Sequence, residues 1–87
     1  MSNNSWIYFS PEMPSITLTN ECIAFLNQHK LIYNDADTAF KRSNAFSMYH
    51  NYPTYVKRAF NKHDMFIGYV VVKRMPEKPD CFTIAGV

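Results

Sequence analysis

Glycine and cysteine are both scarce in this 87-residue chain, and their scarcity excludes several kinds of functional site. The two glycines, Gly68 and Gly86, lie in or beside predicted strands, so no glycine-rich phosphate loop can form. The two cysteines, Cys22 and Cys81, lie far apart and are expected to be reduced thiols, with a disulfide as the alternative. Cysteine and histidine also lack the short paired spacings of zinc sites. We therefore expect neither a cofactor nor a metal ion.

Long hydrophobic runs are also missing. The longest, Met65–Val72, has eight residues, whereas a membrane-spanning helix needs about 20. The opening "MSNNSWIYF" has no basic region followed by an apolar stretch, so we expect no signal peptide. These features predict a cytoplasmic protein, in the host cytoplasm if a phage encodes it, without a membrane partner.

Aromatic residues, by contrast, are plentiful. They make up 16% of the chain, and hydrophobic residues as a group make up 47%, which is typical of a chain with a packed core. We predict one compact α+β domain over residues 1–87, with residues 1–5 frayed. Two or three short helices would pack on an antiparallel sheet that includes a C-terminal β-hairpin.

The first third of the chain predicts extended segments followed by a helix. Residues 5–9 ("SWIYF") and 15–20 ("SITLTN") have the composition of short strands. A helix capped by Thr19 or Asn20 should follow, because apolar residues then recur at helical spacing. Its core-facing residues are expected to be Ile23 and Leu26.

The middle of the chain contains two ambiguous segments. A second short helix is expected to start at Asn34, Asp35 or Asp37 and to end near Lys41 and Arg42, where cations suit the helix dipole. The next segment, "AFSMYHNY", alternates and predicts a strand whose shared face carries Phe46, Met48, His50 and Tyr52. A helix starting at Pro53 is then favoured over a strand, since the apolar residues that follow have helical spacing: Tyr55, Val56, Ala59 and Phe60.

The end of the chain has the clearest pattern. Two strand-like runs, "MFIGYVVVKRM" and "CFTIAGV", are separated by "PEKPD", which predicts a β-hairpin. Both faces of the first run are apolar, which is typical of a strand in the interior of a sheet.

Positive charge is concentrated in the second half. Residues 1–40 contain one lysine against four acidic residues, net −3, and residues 41–87 contain eight lysines and arginines against three acidic residues, net +5. Such asymmetry indicates an anionic partner. Tyrosines are interleaved with these cations, and together they predict one binding face: Lys41, Arg42, Tyr49, Tyr52, Tyr55, Lys57, Arg58, Lys62, Lys73 and Arg74.

A non-enzymatic binding protein is the function that this pattern favours. It would occupy the surface of a larger protein or ribonucleoprotein with an acidic surface, and a homodimer is possible. The alternative is direct binding of RNA or single-stranded nucleic acid, because cations can follow phosphates while rings stack on bases. Reversal of Lys57 and Arg58 to glutamate is expected to abolish binding without loss of stability, as for surface residues.

Two further hypotheses concern origin and catalysis. The abundance of Asn, Lys, Phe and Tyr is similar in composition to short accessory proteins of AT-rich phages and mobile elements, many of which inhibit host or defence factors. An enzyme would depend on Asp37, His50 or His63, but none of them has an evident catalytic partner in the sequence. We therefore predict no catalytic residues.

Overall fold

The computed structural model describes residues 14–51, 53–75 and 78–86, and it shows a small α+β domain. Its elements in chain order are β1 Ser15–Thr17, α1 Asn20–Gln28, α2 Ala36–His50, β2 Thr54–Phe60, β3 Phe66–Met75 and β4 Lys78–Ile84. The strand predicted at residues 5–9 lies outside the described part of the chain. The α+β class is confirmed, with two helices and four strands among the described residues.

The sheet is mixed rather than antiparallel, which corrects the sequence-based prediction. Its strand order is β1-β2-β3-β4; β1 runs parallel to β2, and the other two pairs are antiparallel. Both helices lie between β1 and β2 in the chain, and a crossover connection of this kind lets neighbouring strands run parallel. The central position of β3 agrees with the two apolar faces seen in its sequence.

Helix α2 continues through the segment for which the sequence predicted a strand. Asp35 caps its start, since the Thr38 N–H donates to Asp35 Oδ1 at 2.7 Å. Asn51 ends it in the left-handed conformation, with φ of 59°. The strand prediction was wrong because the decisive spacing is helical: Ala39 and Ser43 are buried, whereas Met48 is 84% exposed.

Strand β2 replaces the helix predicted after Pro53. It lies between β1 and β3 and pairs with both, so its backbone groups are satisfied by neighbouring strands. Its burial alternates, with Lys57 and Ala59 buried and Arg58 exposed. The helical spacing of its apolar residues was misleading because pairing on both sides overrides a weak local pattern.

The core has two parts, one on each face of the sheet. Leu26 of α1 packs with Val70 and Val72 of β3, which point to one side. Ala39 of α2 packs with Val71, which points to the other. Since alternate residues of a strand face opposite sides, the sheet has an α1 face and an α2 face, each covered in part by one helix.

Candidate binding surfaces

The predicted binding face does not form a single surface, because the pleat of the sheet divides it. In the strand register Tyr55 pairs with Val72 and Lys57 with Val70, which places both side chains on the α1 face. Arg58 pairs with Tyr69, on the α2 face. In β3, Arg74 and Lys73 divide in the same way, with Arg74 on the α1 face and Lys73 on the α2 face.

Lys57 is buried, and this contradicts its assignment to the surface. Its side chain is only 8% exposed because the register sets it opposite Val70, one of the fully buried core residues. Its Nζ lies 5.9 Å from the centroid of the Tyr55 ring, a cation–π contact. Reversal of this charge would therefore perturb the fold as well as any binding.

The remaining predicted residues lie at separate places. Lys41, Arg42 and Tyr49 are exposed on α2, and the Lys41 Nζ lies 3.7 Å from the Asp37 carboxylate in an exposed ion pair. Lys62, in the turn after β2, lines a shallow pocket at the start of α1 with residues 17–21. Tyr52 lies outside the described residues.

The outer face of α2 carries three large apolar side chains in solvent. Phe40 is 57% exposed, and Met48 and Tyr49 are each 84% exposed. Residues four apart on a helix are neighbours, so this outer face consists of two adjacent rows: Phe40, Asn44 and Met48, and Lys41, Ala45 and Tyr49. The sequence-based prediction of a strand over residues 45–52 hid Met48 as a binding residue. A helical interpretation of the full segment would have placed it in one row with Phe40.

A second cluster, in which Phe66 is exposed and Phe60 and Tyr69 are half-buried, lies on the α2 face of the sheet, at its end near the β2–β3 turn. The Phe60 and Phe66 ring centroids are 5.6 Å apart, those of Phe66 and Tyr69 are 5.2 Å apart, and both contacts are edge-to-face. Phe66 is 47% exposed. Arg58 is exposed directly opposite Tyr69. We call this group, with Arg42, the arginine–aromatic surface.

Arg42 borders this surface through Tyr33. Backbone hydrogen bonds of 2.8 Å in both directions join Tyr33 to Tyr69, so the two side chains share the α2 face. Burial raises the pKa of the Tyr33 phenol, and the nearby positive charge of Arg42 lowers it in part. The Arg42 charge therefore acts on Tyr33, and Arg58 lies opposite Tyr69 in the strand register.

The titratable groups do not assemble a recognisable catalytic centre in the described part of the chain. Burial raises the pKa of the Cys22 thiol to about 11, so this free cysteine is a poor nucleophile. The Asp35 carboxylate has a lowered pKa because it accepts hydrogen bonds from Thr38 as a helix cap. No three His, Cys, Asp or Glu residues lie close enough to hold a metal ion within residues 14–51, 53–75 and 78–86.

Comparisons with known proteins add no assignment. Neither a family model, nor a curated protein, nor a solved structure matches this chain. Within the described residues, neither helix is long and apolar enough to cross a membrane. The function must therefore be inferred from the surfaces themselves.

Proposed function

We propose that the protein is a non-enzymatic binding protein that attaches to a larger protein through the outer face of α2. The observation that supports this is the exposure of Phe40 and Met48 in one row of a single helix, with Tyr49 exposed next to Met48. Large apolar and aromatic side chains of this kind act as anchors in protein interfaces. Helices that present anchors at intervals of three or four residues bind in hydrophobic grooves.

The underside of α2 holds this helix in place. The Thr54 hydroxyl donates its one proton to the Ser43 carbonyl oxygen at 2.7 Å. The Ser43 hydroxyl is therefore the donor in the 2.6 Å hydrogen bond between the two hydroxyl groups. The Asp35 and Asn51 caps fix the two ends of the helix. A helix already formed and anchored loses little conformational entropy on binding, which favours affinity.

The size of the outer face favours a groove over a second copy of the chain. Fifteen residues make a helix about 22 Å long and about 10 Å wide with its side chains. A flat contact of that size falls well below the roughly 800 Å² that each partner buries in a stable interface. A groove can surround the helix and cover more of it, with acidic residues at its rim beside Lys41.

A protein that acts by occupying a partner's surface fits the role of an inhibitor. We propose that the partner is a host or defence factor and that the chain comes from a phage or mobile element. This part of the proposal rests on amino-acid composition and on the lack of a catalytic set among the described residues. The same contact would also serve an adaptor, so the identity of the partner decides between the two roles.

The test combines partner identification with a double variant of α2. The tagged chain is used to capture proteins from a nuclease-treated bacterial lysate, and the partner is identified by mass spectrometry and purified. We expect Met48→Ala with Tyr49→Ala to weaken its binding by about 2 kcal/mol or more, roughly 30-fold. Both residues are highly exposed, so stability should change by only about 0.5 kcal/mol per site.

Met65→Ala provides the matched control, because Met65 is an exposed methionine in the β2–β3 turn and lies away from α2. It should bind the purified partner like the unmodified chain. Equal affinity of the partner for the α2 double variant and for this control would refute the proposed contact.

A further inference from the structure

We propose that the arginine–aromatic surface, formed by Arg42, Arg58, Phe60, Phe66 and Tyr69, binds single-stranded nucleic acid. This inference goes beyond the proposed protein contact, because four of the five residues belong to β2 and β3 and not to α2. It depends on the ring cluster at the end of the sheet, of which Phe66 is the exposed member, and on the two arginines beside it.

The rings form a contiguous cluster at the end of the sheet, in which Phe66 is exposed and Phe60 and Tyr69 are half-buried. Edge-to-face contacts of 5.6 and 5.2 Å join Phe60 to Phe66 and Phe66 to Tyr69. Helix α2 covers Val71, further along the same face of β3, but almost half of the Phe66 side chain remains in solvent. Unpaired bases can stack on such rings, whereas the bases of a duplex are already stacked on each other.

The two arginines beside this ring cluster favour an anionic ligand. Arg58 is fixed opposite Tyr69 by the β2–β3 register, and Arg42 lies one helical turn after Ala39, which is in the same core cluster as Tyr33. Both side chains are exposed, and no salt bridge to either is present in the described part of the chain. Guanidinium groups can bind phosphate with paired hydrogen bonds and can also stack on bases. A purely apolar partner would offer these guanidinium groups no hydrogen-bond acceptor.

The test measures binding of fluorescein-labelled oligo(dT) and oligo(U), each of about 12 nucleotides, to the full chain by fluorescence anisotropy. Salt is varied between about 50 and 200 mM, and a duplex of equal length serves as the comparison. Two phosphate contacts predict that log K falls with log salt at a slope of about −1.4. The single strands should bind more tightly than the duplex.

Three variants assign the binding to this surface. Phe66→Leu keeps an apolar side chain but removes the ring, and we expect about a tenfold loss of affinity. Arg42→Ser and Arg58→Ser should each make the slope shallower by about 0.7. Lys30→Asn is the charge-matched control at the end of α1; Lys30 has φ of 58°, a conformation that Asn adopts readily. It should leave affinity and slope unchanged.

Circular dichroism melting confirms that each variant is folded. The proposal is overturned if the single strands do not bind, if the duplex binds equally well, or if Lys30→Asn weakens binding as much as Arg58→Ser. It is also overturned if Phe66→Leu affects only capture of a protein partner, because the surface would then be a protein interface.

Discussion

Gly68 determines whether the chain after α1 can pair with β3, and replacing it by alanine tests this directly. Its φ of 139° is a conformation that other residues rarely adopt. A Cβ at this position would lie 2.7 Å from the Tyr33 carbonyl oxygen and 2.8 Å from Ile32 Cγ2. The first of these neighbours is backbone and cannot turn away. The neighbouring hydrogen bonds between Tyr33 and Tyr69, both 2.8 Å, would have to lengthen or break.

The expected cost of Gly68→Ala is about 3 to 5 kcal/mol of unfolding free energy. Backbone strain contributes about 1 to 3 kcal/mol, and weakening of the two hydrogen bonds contributes about 1 kcal/mol each. For a domain of this size, 1 kcal/mol corresponds to about 4 to 8 °C in Tm. Urea denaturation followed by circular dichroism measures the free energy directly.

Gly86→Ala is the matched comparison, because its φ of 97° is also unfavourable for alanine. Its added Cβ would lie 2.7 Å from Leu31 Cδ2 and 3.2 Å from Phe46 Cζ. Both are side-chain atoms that can shift, so we expect the cost to be mostly backbone strain, about 1 to 3 kcal/mol. The reasoning is refuted if Gly68→Ala costs less than about 1 kcal/mol, or less than Gly86→Ala.

Two further comparisons use neighbouring residues as controls for each other. Arg58→Glu should change the unfolding free energy by about 0.5 kcal/mol or less. Lys57→Glu should cost more than about 2 kcal/mol, because it buries a carboxylate. Equal losses of unfolding free energy in urea denaturation would contradict the assigned register. Thr54→Val removes both hydrogen bonds to Ser43 and should cost about 2 kcal/mol, whereas Ser43→Ala removes one and should cost about 1 kcal/mol. A larger loss for Ser43→Ala would contradict the hydrogen bond from the Thr54 hydroxyl to the Ser43 carbonyl oxygen.

Local signals in the sequence were sufficient for part of the fold. Thr19 caps α1 as expected, since its hydroxyl accepts the Cys22 N–H at 3.2 Å, and Asp35 was among the caps proposed for α2. Leu26 is fully buried, in agreement with its predicted core position. These features depend on side chains within one or two helical turns, so a single sequence contains the information that they need.

The errors arose where local spacing allowed two readings. Phe46, Met48 and His50 alternate, but Phe46 also lies three residues after the buried Ser43, and the helical interpretation is the correct one. In β2, a helical pattern was overridden by pairing with strands on both sides. Neither outcome follows from propensity, because both depend on partners that are distant in sequence.

The candidate site depended on the second of these errors. Residues 54–60 form strand β2 and not the predicted helix. In a strand, Lys57 and Arg58 must point to opposite faces, so this basic pair does not form one patch. Arg58 lies on the α2 face of the sheet, whereas Lys57 is buried on the α1 face. The residues that now support binding are therefore fewer than the sequence suggested.

The two proposed surfaces lie on the same side of the molecule. The outer face of α2 and the arginine–aromatic surface are both on the α2 side of the sheet, since Arg58 and Tyr69 share the face on which α2 packs. A partner with a hydrophobic groove next to exposed single-stranded RNA could contact both at once. Two linked contacts reinforce each other through effective concentration when their geometry permits simultaneous binding. If both proposals hold, a ribonucleoprotein is the class of partner that they predict together.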